Sequence, residues 1–184
     1  MIPQVLVPLA HGFEEIEATC PIDLLRRAEV EVVLASCESD LKVCGRSGIV
    51  IHTDQLLIDT DTDQFDLLVI PGGPAVFDLR KNENFLSTIK AFAEKNRPIG
   101  AICAAPLLLL DAGVISSDST CTAHGSTSNE LTNLHPNQAF VQDGKIITSR
   151  GAGTAVEFGL ALIKELFGTD KESEIRSSIH ADLK

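Results

Sequence analysis

Short apolar runs alternate along this chain with longer segments whose apolar residues recur at helical spacing. Ile2 to Leu9 reads as a first strand, and His11-Gly12-Phe13 as a turn. A helix follows from about Glu14 to Ala28, its acidic first turn and basic last turn both suiting the helix dipole. Pro21 lies within it and is expected to kink or split it. Glu31 to Ser36 reads as a second strand, and Lys42 to Val43 with Ile49 to His52 as a hairpin around Gly45-Arg46-Ser47-Gly48. Asp54 to Gln64 is a polar, acidic connection. Phe65 to Ile70 is continuously apolar, as in a parallel strand covered on both faces, and ends at Pro71-Gly72-Gly73-Pro74.

The second half repeats the alternation. Asn82 to Lys95 reads as a helix, with Phe85, Leu86, Ile89, Phe92 and Ala93 on one face. The segment P-I-G-A-I-C-A-A-P at 98 to 106 climbs through an apolar run to Cys103, and Pro106 then opens a leucine-rich helix that Gly113 ends. Thr120 to Ala123 is expected as a strand ending at His124-Gly125, and Ser126 to Asn133 as a short helix or loop. Ala139 to Gln142 and Lys145 to Thr148 flank Asp143-Gly144, a hairpin signal of type I′. Ser149 to Gly153 reads as a flexible bend, Thr154 to Phe167 as a helix ended by Gly168, and Lys171 to His180 as a final helix. This order is that of an open α/β sheet with helices on both faces, and residues 1–184 read as one domain.

Composition narrows the function classes. A formal net charge of -11 disfavours nucleic acid and anionic membranes as partners. The N-terminal M-I-P-Q-V-L-V-P-L-A has no basic leader, and no apolar run reaches the length of a membrane span, so the reading is cytoplasmic. Five cysteines, at 20, 37, 44, 103 and 121, form no C-x-x-C pair and fit neither a disulfide framework nor a zinc site. Phosphate-loop and dinucleotide fingerprints are absent, and no metal or organic cofactor is expected.

Cys103 sits where strand turns sharply into helix, flanked by Ala101 and Ala105, as a nucleophile on a strained turn requires. Nearby helix N–H groups favour thiolate there; a buried, inert thiol is the alternative. In open α/β sheets ligands bind beyond the carboxyl ends of the strands. Glu17, Gly72-Gly73, Cys103 and His124 all fall at such ends. Glu17, if packed against sulfur, is expected to be pushed toward its neutral form and to serve as general acid and base; a helix-start carboxylate favoured by the dipole is the alternative. His124 is a candidate acid/base or orienting group, and Gly73 and Ala104 are candidate N–H donors to an oxyanion. Arg27 and Arg46 are candidates to attract an anionic group, or are surface charges.

The motifs G-F-E-E-I-E at 12 to 17, P-I-D-L-L-R-R-A at 21 to 28, V-I-P-G-G at 69 to 73, A-I-C-A-A-P at 101 to 106 and T-S-R-G-A-G-T-A-V-E-F at 148 to 158 together resemble the ThiJ/PfpI superfamily, in the branch of the parkinsonism-associated protein deglycase. The resemblance implies a flavodoxin-like three-layer sandwich with a mostly parallel sheet, class I glutamine-amidotransferase-like, and a homodimer. It places the nucleophile on Cys103, the sulfur-contacting glutamate on Glu17, the active-site histidine on His124, the backbone donors on Gly73 and Ala104, and the anion-side arginines on Arg27 and Arg46. It implies a glutathione-independent glyoxalase or protein deglycase acting on 2-oxoaldehydes such as methylglyoxal or on glycated protein, or alternatively a redox-sensing stress protein or holding chaperone. The peptidase branch carries histidine directly after the nucleophile; Ala104 stands there and argues against a peptidase. The absence of a late His-x-Glu pair argues against ammonia-producing hydrolysis.

Overall fold

In the computed structural model, which describes residues 2–182, a seven-stranded sheet is ordered β5-β2-β1-β6-β7-β9-β8. The strands are β1 (Gln4–Leu9), β2 (Glu31–Ser36), β5 (Gln55–Leu56), β6 (Leu67–Ile70), β7 (Ile99–Ile102), β8 (Phe140–Asp143) and β9 (Ile146–Ser149). All pairings are parallel except β8 with β9, and β3 (Lys42–Cys44) with β4 (Val50–His52) forms a separate antiparallel hairpin. The chain moves from β1 outward to β2, then returns across β1 to β6, which makes the β1/β6 gap the switch point where such sheets place their ligands.

Alternation along the strands feeds two apolar layers. Val5, Val7, Leu9, Val69 and Ile147 pack with Ala18, Ile22 and Leu25 of α1 (Glu15–Arg27) and with Phe158 and Leu162. Leu6, Leu68, Ile70, Ile99 and Ala101 pack on the other face, against Val76, Leu79, Phe85, Ile89, Phe92 and Leu107 to Leu109. The second layer is built by α2 (Ala75–Leu79), α3 (Glu83–Glu94) and α4 (Pro106–Asp111), and the first by α1, α5 (Ala155–Phe167) and α6 (Thr169–Ser178). Cys103 borders both layers.

Several local expectations are corrected by tertiary packing. Pro21 does not split α1, which runs unbroken across it. Its ring is buried on α5, where a Cβ added to Gly159 would lie 3.3 Å from Pro21 Cα; this contact holds the helix through the missing backbone bond. Thr120 to Ala123 is not a strand. It makes one isolated bridge, Cys121 to Leu134, because β9 occupies the place beside β7. The hairpin joining β8 and β9 pairs Asp143 with Ile146, so its turn is Gly144-Lys145. Only Gly144 there has a positive φ, 57°, which excludes type I′. Between Pro74 and Asn82 the chain forms the unforeseen α2, and the acidic connection contains β5 and two 3-10 turns.

Phe158 is fully buried, and a Cβ added to Gly100 of β7 would lie 2.9 Å from its ring. Phe158→Ala is expected to lower stability by about 3–5 kcal/mol. In urea titrations the midpoint should fall with the slope unchanged.

Candidate active site

Cys103 follows β7 in the left-handed region, φ 65°, a conformation that L side chains avoid. Two hydrogen bonds pin it there. Its N–H donates to the Ser149 carbonyl at 2.9 Å, and its carbonyl accepts from the His124 N–H at 2.8 Å. Pro106 then starts α4 with its preset φ. The expected strand-to-helix elbow is therefore present, with the sulfur half-buried at its tip.

Glu17 reaches the sulfur because two loops pack backbone to backbone. Gly12 and Gly73 both have positive φ, 87° and 98°. The Glu14 N–H donates to the Gly72 carbonyl at 3.0 Å, and the Ala75 N–H to the Gly12 carbonyl at 3.3 Å. A Cβ on Gly73 would collide with the Gly12 carbonyl and lie 2.6 Å from the Glu14 nitrogen. One on Gly72 would lie 2.6 Å from both Cys103 Cβ and Glu17 Oε2. Only glycine at both places lets the β1–α1 loop and the β6–α2 loop close on the cysteine.

The Glu17 carboxyl is 1% exposed. Its Oε2 accepts the Gly72 N–H at 3.0 Å, and the Cys103 thiol faces it. Burial pushes it up to about 7, against the downward pull of Cys103 and of the Gly72 and Ala152 N–H groups. Burial, then the facing Glu17 carboxylate, pushes the Cys103 thiol up to about 12, so the expected preference for thiolate is reversed while Glu17 is ionised. The N–H groups of Gly73 and Ala104 pull the other way. Burial also pushes Cys20 up to about 11 and Cys37 to about 12, with no N–H donor opposing it. The Cys103–Glu17 pair thus titrates as a unit, with Glu17 placed to accept the thiol proton as the sulfur bonds to an electrophile.

The other expected residues fall at different distances from this centre. Gly73 and Ala104 offer their N–H groups to the sulfur. His124 meets Cys103 through its backbone, while its exposed imidazole accepts the Ser126 N–H at Nδ1, 3.2 Å, so that in its neutral form Nε2 carries the proton. Arg46 lies in the β3–β4 turn, its N–H on the Phe13 carbonyl at 2.9 Å. Arg27 ends α1, about 15 Å along the axis from Glu17, and pairs with Asp23, so one chain does not bring it to Cys103. The segment Ser149 to Gly153, expected as a flexible bend, supplies the Ser149 carbonyl to Cys103 and the Ala152 N–H to Glu17. Gly72, expected with Gly73 at the strand end, gives its N–H to Glu17. A groove of about 850 Å³, lined by Cys37, Leu57, Ile58 and Phe85, lies elsewhere. Among the described residues no three His, Cys, Asp or Glu side chains are placed to hold a metal ion.

The elevated Glu17 carboxyl fixes a sign. An unfolded chain ionises it near 4.5, whereas the folded chain holds its proton to about 7. The folded state therefore binds the extra proton between these values, and its stability falls as pH rises through them, by on the order of 2–3 kcal/mol in total. Glu17→Gln lacks this titration. Its stability relative to the parent should rise by that amount between pH 4.5 and pH 8 in denaturant titrations; a constant difference contradicts the assignment.

The DJ-1/PfpI family model matches residues 3–165. Protein DJ-1 homolog B of Arabidopsis thaliana is 37% identical over 171 residues, 92% of this chain but 39% of that protein, so the chain spans less than half of that relative's length. The Caenorhabditis elegans protein named glutathione-independent glyoxalase DJR-1.2 is 31% identical over 174 residues, covering 93% of this chain and 91% of that one. The crystal structure of Drosophila melanogaster DJ-1beta matches with a TM-score of 0.91 at 33% identity, covering 97% of this chain and 98% of that one. The architecture is the flavodoxin-like, class I glutamine-amidotransferase-like sandwich of these structures. With a family model matched over most of its length and relatives above 30% identity, the chain belongs to the DJ-1/PfpI family.

Proposed function

We propose that this protein is a cysteine-dependent, glutathione-independent glyoxalase converting 2-oxoaldehydes, with methylglyoxal as the type substrate, to 2-hydroxy acids, and acting by the same chemistry on their adducts with protein amines and thiols. The carrying observation is the buried Glu17 carboxyl, pushed up to about 7, facing the sulfur of the strained Cys103 elbow. The name of the C. elegans relative supports the same activity.

In this mechanism the Cys103 sulfur bonds to the aldehyde carbon as its thiol proton passes to Glu17, and the aldehyde oxygen takes up a proton, giving a hemithioacetal. The Gly73 and Ala104 N–H groups face the developing oxyanion. Glu17, having passed the thiol proton on to the aldehyde oxygen, removes the hydrogen from that carbon; the C–H electron pair forms the carbon–carbon double bond, and the proton on the first carbon's hydroxyl passes to the ketone oxygen, giving the enediolate. Glu17 returns the proton to the second carbon, leaving a 2-hydroxyacyl thioester. Water, assisted by His124, attacks the thioester carbonyl, the C–S bond breaks, and lactate leaves with the thiol restored. A base near neutrality suits both directions of the transfer. Five free thiols fit a reducing cytoplasm.

The same donors favour a second reading. A Cys103 sulfinate, formed by peroxide, would be held by the Glu17 proton and the Gly73 and Ala104 N–H groups, in a redox-sensing stress protein or holding chaperone. An assay of lactate from methylglyoxal separates the two. Cys103→Ser should abolish turnover and Glu17→Gln lower it about 10²–10⁴-fold. Full activity in Cys103→Ser overturns the enzyme reading. Absence of lactate, with selective gain of two oxygens at Cys103 under mild peroxide, establishes the sensor instead.

We further propose a homodimer. Ile16, Ile49 and Val50 are all more than half exposed, and the Ser47 N–H bond to Glu15 Oε1, 2.6 Å, sets the β3–β4 hairpin against the start of α1 to form one apolar face. Sedimentation should give a dimer for the parent and a monomer for Ile49→Asp with Val50→Asp.

A further inference from the structure

Arg80 caps the C-terminus of α2 and binds two carboxylates at once. Its Nε and Nη2 donate to Asp111 at 2.6 and 2.9 Å, and its Nη1 and Nη2 donate to Glu130 at 2.8 and 2.6 Å. Four of the five guanidinium N–H donors are thereby used in two bidentate pairs. The arginine and Asp111 are each about three-quarters covered. The Glu130 carboxyl is held below its usual range by the guanidinium.

What matters is where these three segments begin. α2 starts two residues after Gly73. Asp111 is the last residue of α4, the helix that leaves the Cys103–Ala104 elbow. Glu130 closes the loop that leaves His124. That loop is wound tight: the Thr127 N–H and hydroxyl both donate to the His124 carbonyl, at 3.0 and 2.8 Å, and the Glu130 and Leu131 N–H groups both donate to Thr127, at 2.9 Å. Each segment thus has its near end in the site and its far end on one guanidinium. The near ends are themselves joined by the His124 N–H bond to the Cys103 carbonyl, which holds the elbow.

We propose that Arg80 is a positioning residue for the Cys103 site, fixing the Gly73, Cys103–Ala104 and His124 segments relative to one another through the Asp111 and Glu130 carboxylates. As regards turnover it rests on the glyoxalase reading above; as regards the cysteine it does not. Lysine is a poor substitute, because one ammonium presents no planar fork to two carboxylates. The competing account is that Leu131 and Leu79, both buried, hold the loops unaided.

The test follows iodoacetamide alkylation of Cys103 by peptide mass against pH, in the parent, Arg80→Ala, Arg80→Lys and the remote control Lys145→Ala, which removes the Lys145–Glu165 pair. Glu17 faces the sulfur, with Glu14 behind it, in every variant. In Arg80→Ala the donors loosen around the sulfur. The profile should move to higher pH, with alkylation at neutral pH slowed about 3–30-fold. Arg80→Lys should recover part of this, and Lys145→Ala should match the parent. In a lactate assay Arg80→Ala should lower kcat more than it raises KM. An unchanged alkylation profile in folded Arg80→Ala overturns the proposal. If that variant does not fold, Glu130→Gln and Asp111→Asn each release half of the clamp, and the same two outcomes are read from them. A parent without lactate activity removes the glyoxalase reading and leaves the clamp to be judged on alkylation.

Discussion

The left-handed backbone of Cys103 is the constraint around which the site is assembled. A non-glycine residue in that region costs about 1–2 kcal/mol, and the cost is offset locally. The Ser149 carbonyl holds the N–H, the His124 N–H holds the carbonyl, and Pro106 presets the helix that follows. Pro106 follows directly in the chain, but the other partners come from β9 and from the loop after Cys121, so the elbow forms only when these two distant segments have docked. Strain here is a consequence of the fold being complete, and it puts a sulfur at the carboxyl rim of the sheet with backbone donors on either side.

The second requirement is a carboxyl that resists ionisation. Glu17 lies in the first turn of α1, where the helix dipole favours a negative charge by only about 0.3–1 kcal/mol. Burial to 1% exposure opposes that charge more strongly and wins, carrying the carboxyl to about 7. Its neighbour Glu15 shows the contrast. Burial raises it too, but the N–H groups of Ser47 and Ile49, among others, outweigh that and hold it below its usual range. Two carboxylates two residues apart thus have opposite tendencies, set by how many N–H groups each receives.

Glycine makes the approach of these groups possible. Gly72 and Gly73 leave no room for a side chain against Cys103, Glu17, Gly12 and Glu14, and the two loops meet through main-chain bonds. The geometry is therefore carried by backbone, which is stiffer than side-chain contacts at an exposed rim.

Much of this was legible in the chain. The alternation of elements, the two-sided burial of Phe65 to Ile70, the elbow at Cys103 and the proximity of Glu17 follow from periodicity, glycine and proline placement, and the rule that strand ends share a rim. Those signals are local, and local sterics dictate them. Other features depend on which segments become neighbours. Pro21 stays within one helix because α5 packs on it; Thr120 to Ala123 forms no strand because β9 takes its place; Ser149 to Gly153 holds the site because its carbonyl and N–H groups face Cys103 and Glu17. The Cys103 thiol is pushed up rather than down because burial and a facing carboxylate outweigh the nearby N–H groups. Sequence alone determined most of the elements and the strand-end rim that Cys103 and Glu17 share. Tertiary structure decided the protonation and bracing of that pair, because desolvation and hydrogen bonding depend on what surrounds a group in space and not on what precedes it in the chain.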